Sequence, residues 1–315
     1  MPYCRMCGSG TVVVYIPYAK LYLCQKCFLE FYVKRVKRTV EEFKMFREDD
    51  VVGVAVSGGK DSAALLHSLH NAFPKLELKA LHLNLGIPEY SEHCESKVKI
   101  LTKSLDIELQ TFDIRKRLGL TVEDFKKTKF KRKICSVCGT IKRHIFEEMA
   151  KEAQVKVLAT GHNLDDVTSV MLNTFLNGQW AQLARIKPIL QPLAEGMAYK
   201  VKPLIRTPEN ENLLYCLYAE IPIRTLGCPH SNTTGIKKYT KILEKFSEEN
   251  PNIKHLILNR FLELIPLIEE KFPKPSLTRC RICNFPSSSE VCAYCKRISL
   301  VKDPSSIKNN IVKNS

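Results

Sequence analysis

Ser57-Gly58-Gly59-Lys60-Asp61-Ser62 follows the apolar run Val51 to Val56 and precedes the helical pattern Ala63 to Leu69. A strand, a tight glycine turn and a helix start together form a cradle for phosphates. The glycines let backbone N–H groups approach an anion closely, and the helix N-terminus adds partial positive charge. Lys60 supplies a mobile cation. A Walker loop reads Gly-x4-Gly-Lys-Ser/Thr; Gly53 and Gly58 have that separation, but Gly59 stands where the lysine belongs, so the kinase and GTPase loop is excluded. Ala55 and His82, near the ends of two successive apolar runs, join Ser57 to Ser62 as candidates for holding ATP.

The cysteines form a second chemical signal. Cys4-x2-Cys7-x16-Cys24-x2-Cys27 and Cys280-x2-Cys283-x8-Cys292-x2-Cys295 are both tetrahedral zinc patterns, since two Cys-x2-Cys turns close a four-sulfur site with no position open for chemistry. Two structural Zn²⁺ ions are therefore expected. Thr11 to Ile16 and Lys20 to Leu23 read as a hairpin between the first pair of turns, a zinc ribbon. The second set is so short that metal must hold it together.

Five cysteines remain: Cys94, Cys135, Cys138, Cys216 and Cys228. Cys135-x2-Cys138 has no second turn nearby, so a distant group must complete it. Cys228 is the candidate, because Leu226-Gly227-Cys228-Pro229-His230 puts a thiol on a turn, whereas Cys216 falls in a helical run. Three thiolates can hold a [4Fe-4S] cluster with one iron free of protein ligands, but a redox dithiol or a third zinc site fits the spacing equally. Cys94 and Cys216 read as small buried hydrophobes.

Composition bounds the partners. The chain has 315 residues, 44% of them hydrophobic, enough for one large or two ordinary domains with a real core. A formal charge of +16 fits a phosphate-rich partner, nucleic acid first. Between Lys126 and Arg143 there are eight basic residues and no acidic one, and this run brackets Cys135 and Cys138. No secretory signal opens the chain and no run approaches 18 apolar residues, so a cytoplasmic protein without a membrane span is expected. In that compartment cysteines serve metals and reactive thiols more often than disulfides.

The elements that must position these groups alternate. A basic amphipathic helix covers Phe28 to Phe46. Strand Val51 to Val56 leads to helix Ser62 to Ala72, strand Leu78 to Leu83 to helix Ser91 to Leu105, then strand Ile107 to Phe112. After the basic segment come a helix from Gly139 to Gln154, strand Val155 to Thr160 and helix Leu164 to Asn177. This alternation predicts an α/β fold, a parallel sheet covered on both faces with its ligand at the carboxyl ends of the strands. Gly161-His162-Asn163-Leu164-Asp165-Asp166 falls at such an end, with a glycine beside the nucleotide and two carboxylates at a helix start. Helix capping alone would explain one of those carboxylates. The expected units are a ribbon over 1–30, a catalytic domain over 31–235, a helical extension over 236–275 broken at Pro251, a second ribbon over 276–299 and a mobile basic tail over 300–315.

Taken in order, the ribbon, the SGGKDS loop, Cys135-x2-Cys138, the Gly161 to Asp166 segment, Cys228 and the second ribbon resemble the TtuA/NcsA family of tRNA 2-thiouridine synthetases, within the PP-loop ATP pyrophosphatases. The resemblance spans nearly the whole chain. It implies a PP-loop core flanked by two ribbons, a [4Fe-4S] cluster on Cys135, Cys138 and Cys228, and ATP with Mg²⁺ on the SGGKDS loop. It also implies roles near the nucleotide for Lys142, Gly161 and Asp166. The implied reaction adenylates the C2 oxygen of a tRNA uridine and replaces it with sulfur delivered through the cluster, releasing AMP and pyrophosphate. A ubiquitin-like carrier ending in a thiocarboxylate, or sulfide, would donate the sulfur, and a homodimer is implied as well. The competing readings are a PP-loop enzyme that thiolates cytidine or ligates an amine, and a ribbon RNA-binding protein with a regulatory ATP site.

Overall fold

The computed structural model describes residues 2–231, 236–272 and 276–302. Its first element is a hairpin of β1 (Val14–Ile16) and β2 (Leu21–Leu23), paired antiparallel around a 3-10 turn over Pro17–Ala19. Helix α1 (Gln25–Phe43) follows directly and buries Phe28, Tyr32, Val36 and Val40 at helical spacing.

The core alternates as expected: β3 (Val51–Val56), α2 (Lys60–Ala72), β4 (Glu77–Asn84), α3 (Tyr90–Ser104) and β5 (Glu108–Asp113). A short α4 (Ile114–Leu118) and a 3-10 segment over Val122–Lys127 lead to α5 (Ile134–Glu152), then β6 (Val157–Ala159), α6 (Leu164–Leu176) and α7 (Trp180–Leu183). Two short strands, β7 (Ile189–Leu190) and β8 (Tyr199–Val201), complete a six-stranded sheet of order β5-β4-β3-β6-β8-β7. Its pairings are parallel except for β7, which runs antiparallel at the edge. These two strands are too short to leave a periodic trace in sequence.

Strand periodicity explains the two faces. Val52, Val54 and Val56 of β3, with Leu78 and Ala80 of β4, join the core packed by α1, α2, α3 and the following helix α8 (Glu209–Tyr218). Leu81 and Leu83 point the other way, against α5, whose Ile141, Ile145 and Met149 form the stripe read from sequence. Gly53 serves this packing and not the phosphate loop: a Cβ there would stand 2.9 Å from Val155 Cγ2.

Helices α9 (Lys237–Glu249) and α10 (Ile253–Lys271) flank Pro251, where the helical extension was expected to break. The chain closes with β9 (Thr278–Arg279), β10 (Pro286–Ser287) and α11 (Ala293–Ile298), which packs on α5. The expected tail falls almost wholly on 303–315, outside the described residues, as do 273–275 of the expected linker. Among the described residues no helix is long and apolar enough to cross a membrane.

Candidate active site

The sheet reverses its winding between β3 and β6. After β3 the chain builds outward through β4 and β5, then returns to place β6 on the other side of β3. Such a switch point opens a crevice at the strand ends. Two of the segments singled out in the sequence face each other there: the loop after β3 and the loop after β6.

Ser57 to Gly59 turn sharply into α2. Gly58 has φ +74°, and a Cβ on it would lie 2.7 Å from the Cys94 carbonyl oxygen, so both conformation and space demand glycine. The Ser62 hydroxyl accepts from the Ser57 N–H at 3.0 Å and donates to the Gly59 carbonyl at 3.1 Å, which pins the loop shut. Gly161 permits the close approach of the facing loop: a Cβ there would stand 3.0 Å from the Asp61 carbonyl carbon and the Ser62 nitrogen.

Lys60 is shared between two carboxylates, Asp61 Oδ2 at 3.1 Å and Glu209 Oε1 at 2.6 Å. Burial works against its charge, but the two carboxylates prevail and raise its pKa, so it stays a cation. Asp61 Oδ1 accepts from Asn163 Nδ2 at 3.0 Å and Asn212 Nδ2 at 2.8 Å, and Asn212 Oδ1 in turn accepts from the Tyr32 hydroxyl at 2.7 Å. The N-terminal helix α1 thus reaches the phosphate loop through two hydrogen bonds. Ala55 lies on β3 immediately below, half-buried.

The two adjacent aspartates divide their work. Asp166 completes a capping box with Asn163, the N-cap of α6. It keeps an open face in the crevice, and its carboxyl is pushed up to about 7, first by desolvation in the recess and then by the charges of Asp61, Glu209 and Asp165. Asp165 is buried instead: it accepts the Glu209 N–H at 2.7 Å and pairs with Lys254 of α10. His162 bonds the Thr160 hydroxyl at 2.8 Å and is held down to about 4 by desolvation and Lys202.

His82 is fully enclosed at the end of β4. Its Nδ1 bonds the Val56 carbonyl at 2.9 Å beneath the loop, and its Nε2 is buried without a partner. Burial lowers its pKa, the Val56 carbonyl and Glu95 oppose this, and the charges of Lys99 and Lys142 add to it. The Lys142 charge also acts on Cys138, favouring its thiolate against the burial that raises its pKa. Lys142 lies about one turn beyond Cys138 on α5.

Cys135 and Cys138 lie within the first five residues of α5, which begins at Ile134 rather than at the expected Gly139. The Cys135 thiol donates to the His230 carbonyl at 2.9 Å, so the turn carrying Cys228 closes over the pair. Cys138 also feels the charges of Cys228 and Cys135, and both Cys138 and Cys228 pack on the α5 side of the core. The His230 ring meets Glu123 Oε1 at 2.5 Å. Among the described residues, only the two Cys4 sets bring three or more such ligand atoms within 4.8 Å of one another. The thiols of Cys135, Cys138 and Cys228 are not among those sets, though the chain brings the Cys228 turn onto the pair.

The Cys4 sets do suit zinc. A tetrahedral ion with bonds of about 2.3 Å to sulfur spaces its ligands about 3.8 Å apart. Cys7 and Cys24 sulfurs are 3.7 Å apart, and those of Cys283 and Cys292 are 3.6 Å apart. Cys24 and Cys292 are the N-caps of α1 and α11, so each set is tied to the start of a helix. Cys94 and Cys216 are buried as read; the Cys216 thiol donates to the Lys60 carbonyl at 3.3 Å. Before α5 the side chains of Lys129, Lys131, Arg132 and Lys133 form an exposed basic rim beside the cysteines.

Sequence reasoning missed Asn212, Glu209 and Arg224, which come from distant segments with no motif of their own. Asn163 was within the quoted segment but had no role there. A capping pattern of Asn followed three residues later by Asp was the available signal.

A model of the PP-loop domain matches residues 31–217. The chain is 34% identical over 300 residues to a tRNA-5-methyluridine(54) 2-sulfurtransferase of Pyrococcus horikoshii, covering 95% of this chain and 94% of that one. It is 33% identical to the protein of the same name in Thermotoga maritima, covering 93% and 95%. It is 29% identical to the tRNA 2-thiolation protein NcsA of Haloferax volcanii, covering 95% and 99%. Among solved structures, the U34-tRNA thiolase NcsA of Methanococcus maripaludis with its [4Fe-4S] cluster shares the fold, with a TM-score of 0.80, 24% identity and coverage of 96% and 97%.

Proposed function

The chain belongs to the PP-loop family of tRNA 2-sulfurtransferases, and from that membership we propose that it uses ATP to replace the C2 oxygen of a tRNA uridine with sulfur. The C2 oxygen attacks the α-phosphate, pyrophosphate leaves, sulfide sulfur then adds to C2, and AMP departs with the oxygen. The relatives at 33–34% identity favour the T-loop 5-methyluridine as the base.

One observation supports this reading above the rest. The segment that carries Cys228 joins the phosphate cradle to the cysteine pair: the Arg224 N–H donates to the Gly58 carbonyl at 2.7 Å, and the His230 carbonyl accepts from the Cys135 thiol at 2.9 Å. Activated oxygen and incoming sulfur must meet, so their sites must adjoin.

In this reading the phosphates take the backbone N–H groups of the Ser57 to Ser62 loop, with Mg²⁺ entering alongside them. Lys60 balances the charge gathering on pyrophosphate, and Glu209 and Asp61 hold it in place until then. Lys142 holds the α-phosphate side of the reaction, Gly161 leaves room for the nucleotide, and Asp166 orients substrate. Cys135, Cys138 and Cys228 would hold a [4Fe-4S] cluster, which when bound supplies an iron free of protein ligands for sulfur delivery. The Cys4 sets would hold zinc. The basic rim before α5 grips tRNA phosphates, so binding weakens steeply with salt. Sulfide or a protein thiocarboxylate supplies the sulfur, and a homodimer completes the reading.

The test is a nucleoside digest of unmodified tRNA after anaerobic incubation with reconstituted protein, ATP, Mg²⁺ and sulfide. 2-Thiouridine or its 5-methyl form is the expected product, and the methyl form identifies the T-loop base. No thionucleoside from protein with verified cluster and ATP binding would overturn the sulfide-driven reaction.

A further inference from the structure

Arg224 stands at the seam between the phosphate loop and the turn that carries Cys228. Its backbone N–H donates to the Gly58 carbonyl at 2.7 Å, and its Nη1 donates to the Leu226 carbonyl at 2.7 Å. Its guanidinium carbon lies 5.3 Å from the centre of the Tyr90 ring. The side chain is therefore held from both ends of the seam and from below. Nε is nonetheless buried with no hydrogen-bond partner.

That unpaired donor sits on the phosphate loop. A Cβ on Gly59 would lie 3.3 Å from Nε and 3.6 Å from Nη2, so the missing side chain of Gly59 is what lets the guanidinium come down there. Leaving a buried N–H of a permanent cation unpaired is costly, and an anion would remove the cost. The neighbouring carboxylates are committed elsewhere: Glu209 and Asp61 Oδ2 hold Lys60, and Asp61 Oδ1 holds two asparagines. A brace for the Cys228 turn would need only the backbone N–H and Nη1. Nε is surplus to that role.

Resting on the reading that this loop binds ATP, we propose that Arg224 is a phosphate-contact residue that donates through its guanidinium to the ATP phosphate chain alongside Lys60. A planar fork suits phosphate oxygens better than an ammonium does. Lys60, already shared by two carboxylates, leaves part of the phosphate charge for a second cation to meet.

Titration of ATP, pyrophosphate and adenosine into wild-type protein, Arg224→Lys and Arg224→Met tests this, with Lys60→Ala as the control for the loop itself. Both Arg224 variants should bind ATP and pyrophosphate about 10- to 100-fold more weakly while binding adenosine like wild type. Undiminished ATP and pyrophosphate affinity in both variants would make Arg224 a brace and overturn the proposal. Equal weakening of adenosine and ATP would report a collapsed pocket and overturn it too. If the wild type itself binds no ATP, and Lys60→Ala changes nothing, the ATP reading fails and takes the proposal with it.

Discussion

Arg297 of α11 grips Ser136, the residue just after Cys135. Its Nη1 donates to the Ser136 carbonyl at 2.8 Å and its Nη2 to the Ser136 hydroxyl at 3.2 Å. The Tyr294 ring, one turn away, stacks on His144 of α5 at 3.7 Å. The C-terminal Cys4 module is thus bound to the start of the helix that carries Cys135 and Cys138, and its ordering bears on the proposed cluster site.

Arg297→Met should therefore loosen that helix start without touching a ligand. The visible absorbance of the reconstituted cluster is expected to decay roughly tenfold faster under a chelator, the scale of one charge-assisted hydrogen bond. Metal analysis should show zinc unchanged, and an unaltered decay rate would mean the grip is idle.

Cys292→Ala removes a sulfur that also accepts the Cys295 N–H at 3.4 Å as the cap of α11. Bound zinc should fall from about two ions per chain to about one, because a short Cys4 module folds on its metal. Cluster decay should accelerate as in Arg297→Met. Two zinc ions retained in this variant would contradict the assignment.

Lys60→Ala should spare the fold, since the lysine side chain keeps 25% of its surface exposed and its partners Asp61 and Glu209 can rehydrate. Pyrophosphate release with tRNA present should fall by about 100-fold or more, as when a charge-stabilising donor is removed from a transition state. Binding of tRNA and its salt dependence should persist. Loss of tRNA binding would show that the lysine serves RNA instead.

Alanine at the two loop glycines should separate strain from space. Gly58→Ala must take φ +74° and meet the Cys94 backbone, so it is expected to lower stability by about 1–3 kcal/mol in denaturant unfolding. Gly161→Ala has no such strain but presses its methyl on the backbone at the start of α2, so it should lose less stability than Gly58→Ala while ATP affinity drops. The reverse ordering would count against the facing-loop geometry.

Asp166 gives a pH signature. Its native carboxyl holds a proton up to about 7, against an ordinary value of 3.8, so between these limits the folded state binds more protons than the unfolded. Stability from this group accordingly falls as pH rises through that window. Asp166→Asn should remove this part of the slope, so that the variant gains on wild type in thermal midpoint from about pH 4 to about pH 7. A pH-independent difference between the two would show that the carboxyl titrates normally.

Much of this protein is written locally. The SGGKDS turn, the two four-cysteine sets and the alternation of apolar strands with helices are short-range patterns: the turn forms, each set's sulfurs converge and the strands and helices alternate, because glycine conformation, close cysteine spacing and strand periodicity act over a few residues. Helix α5 begins at Ile134, five residues before the expected start at Gly139, because buried Ile134 and Val137 give the added turn a packed face that arises only in the folded core. The short β7 and β8 are strands only because β6 offers an edge to pair with.

The chemistry available is legible in the residues alone: a glycine-rich loop suited to phosphate, two four-sulfur sets and five further thiols. Which groups meet is set by the packing of distant segments. Glu209 reaches Lys60 across 149 residues and Asn212 reaches Asp61 across 151, and Arg224 comes down on Gly59 where no side chain stands in the way. Such contacts arise where the winding of the sheet reverses between β3 and β6, and no local pattern encodes them, because they depend on how distant segments pack and not on what either segment prefers alone.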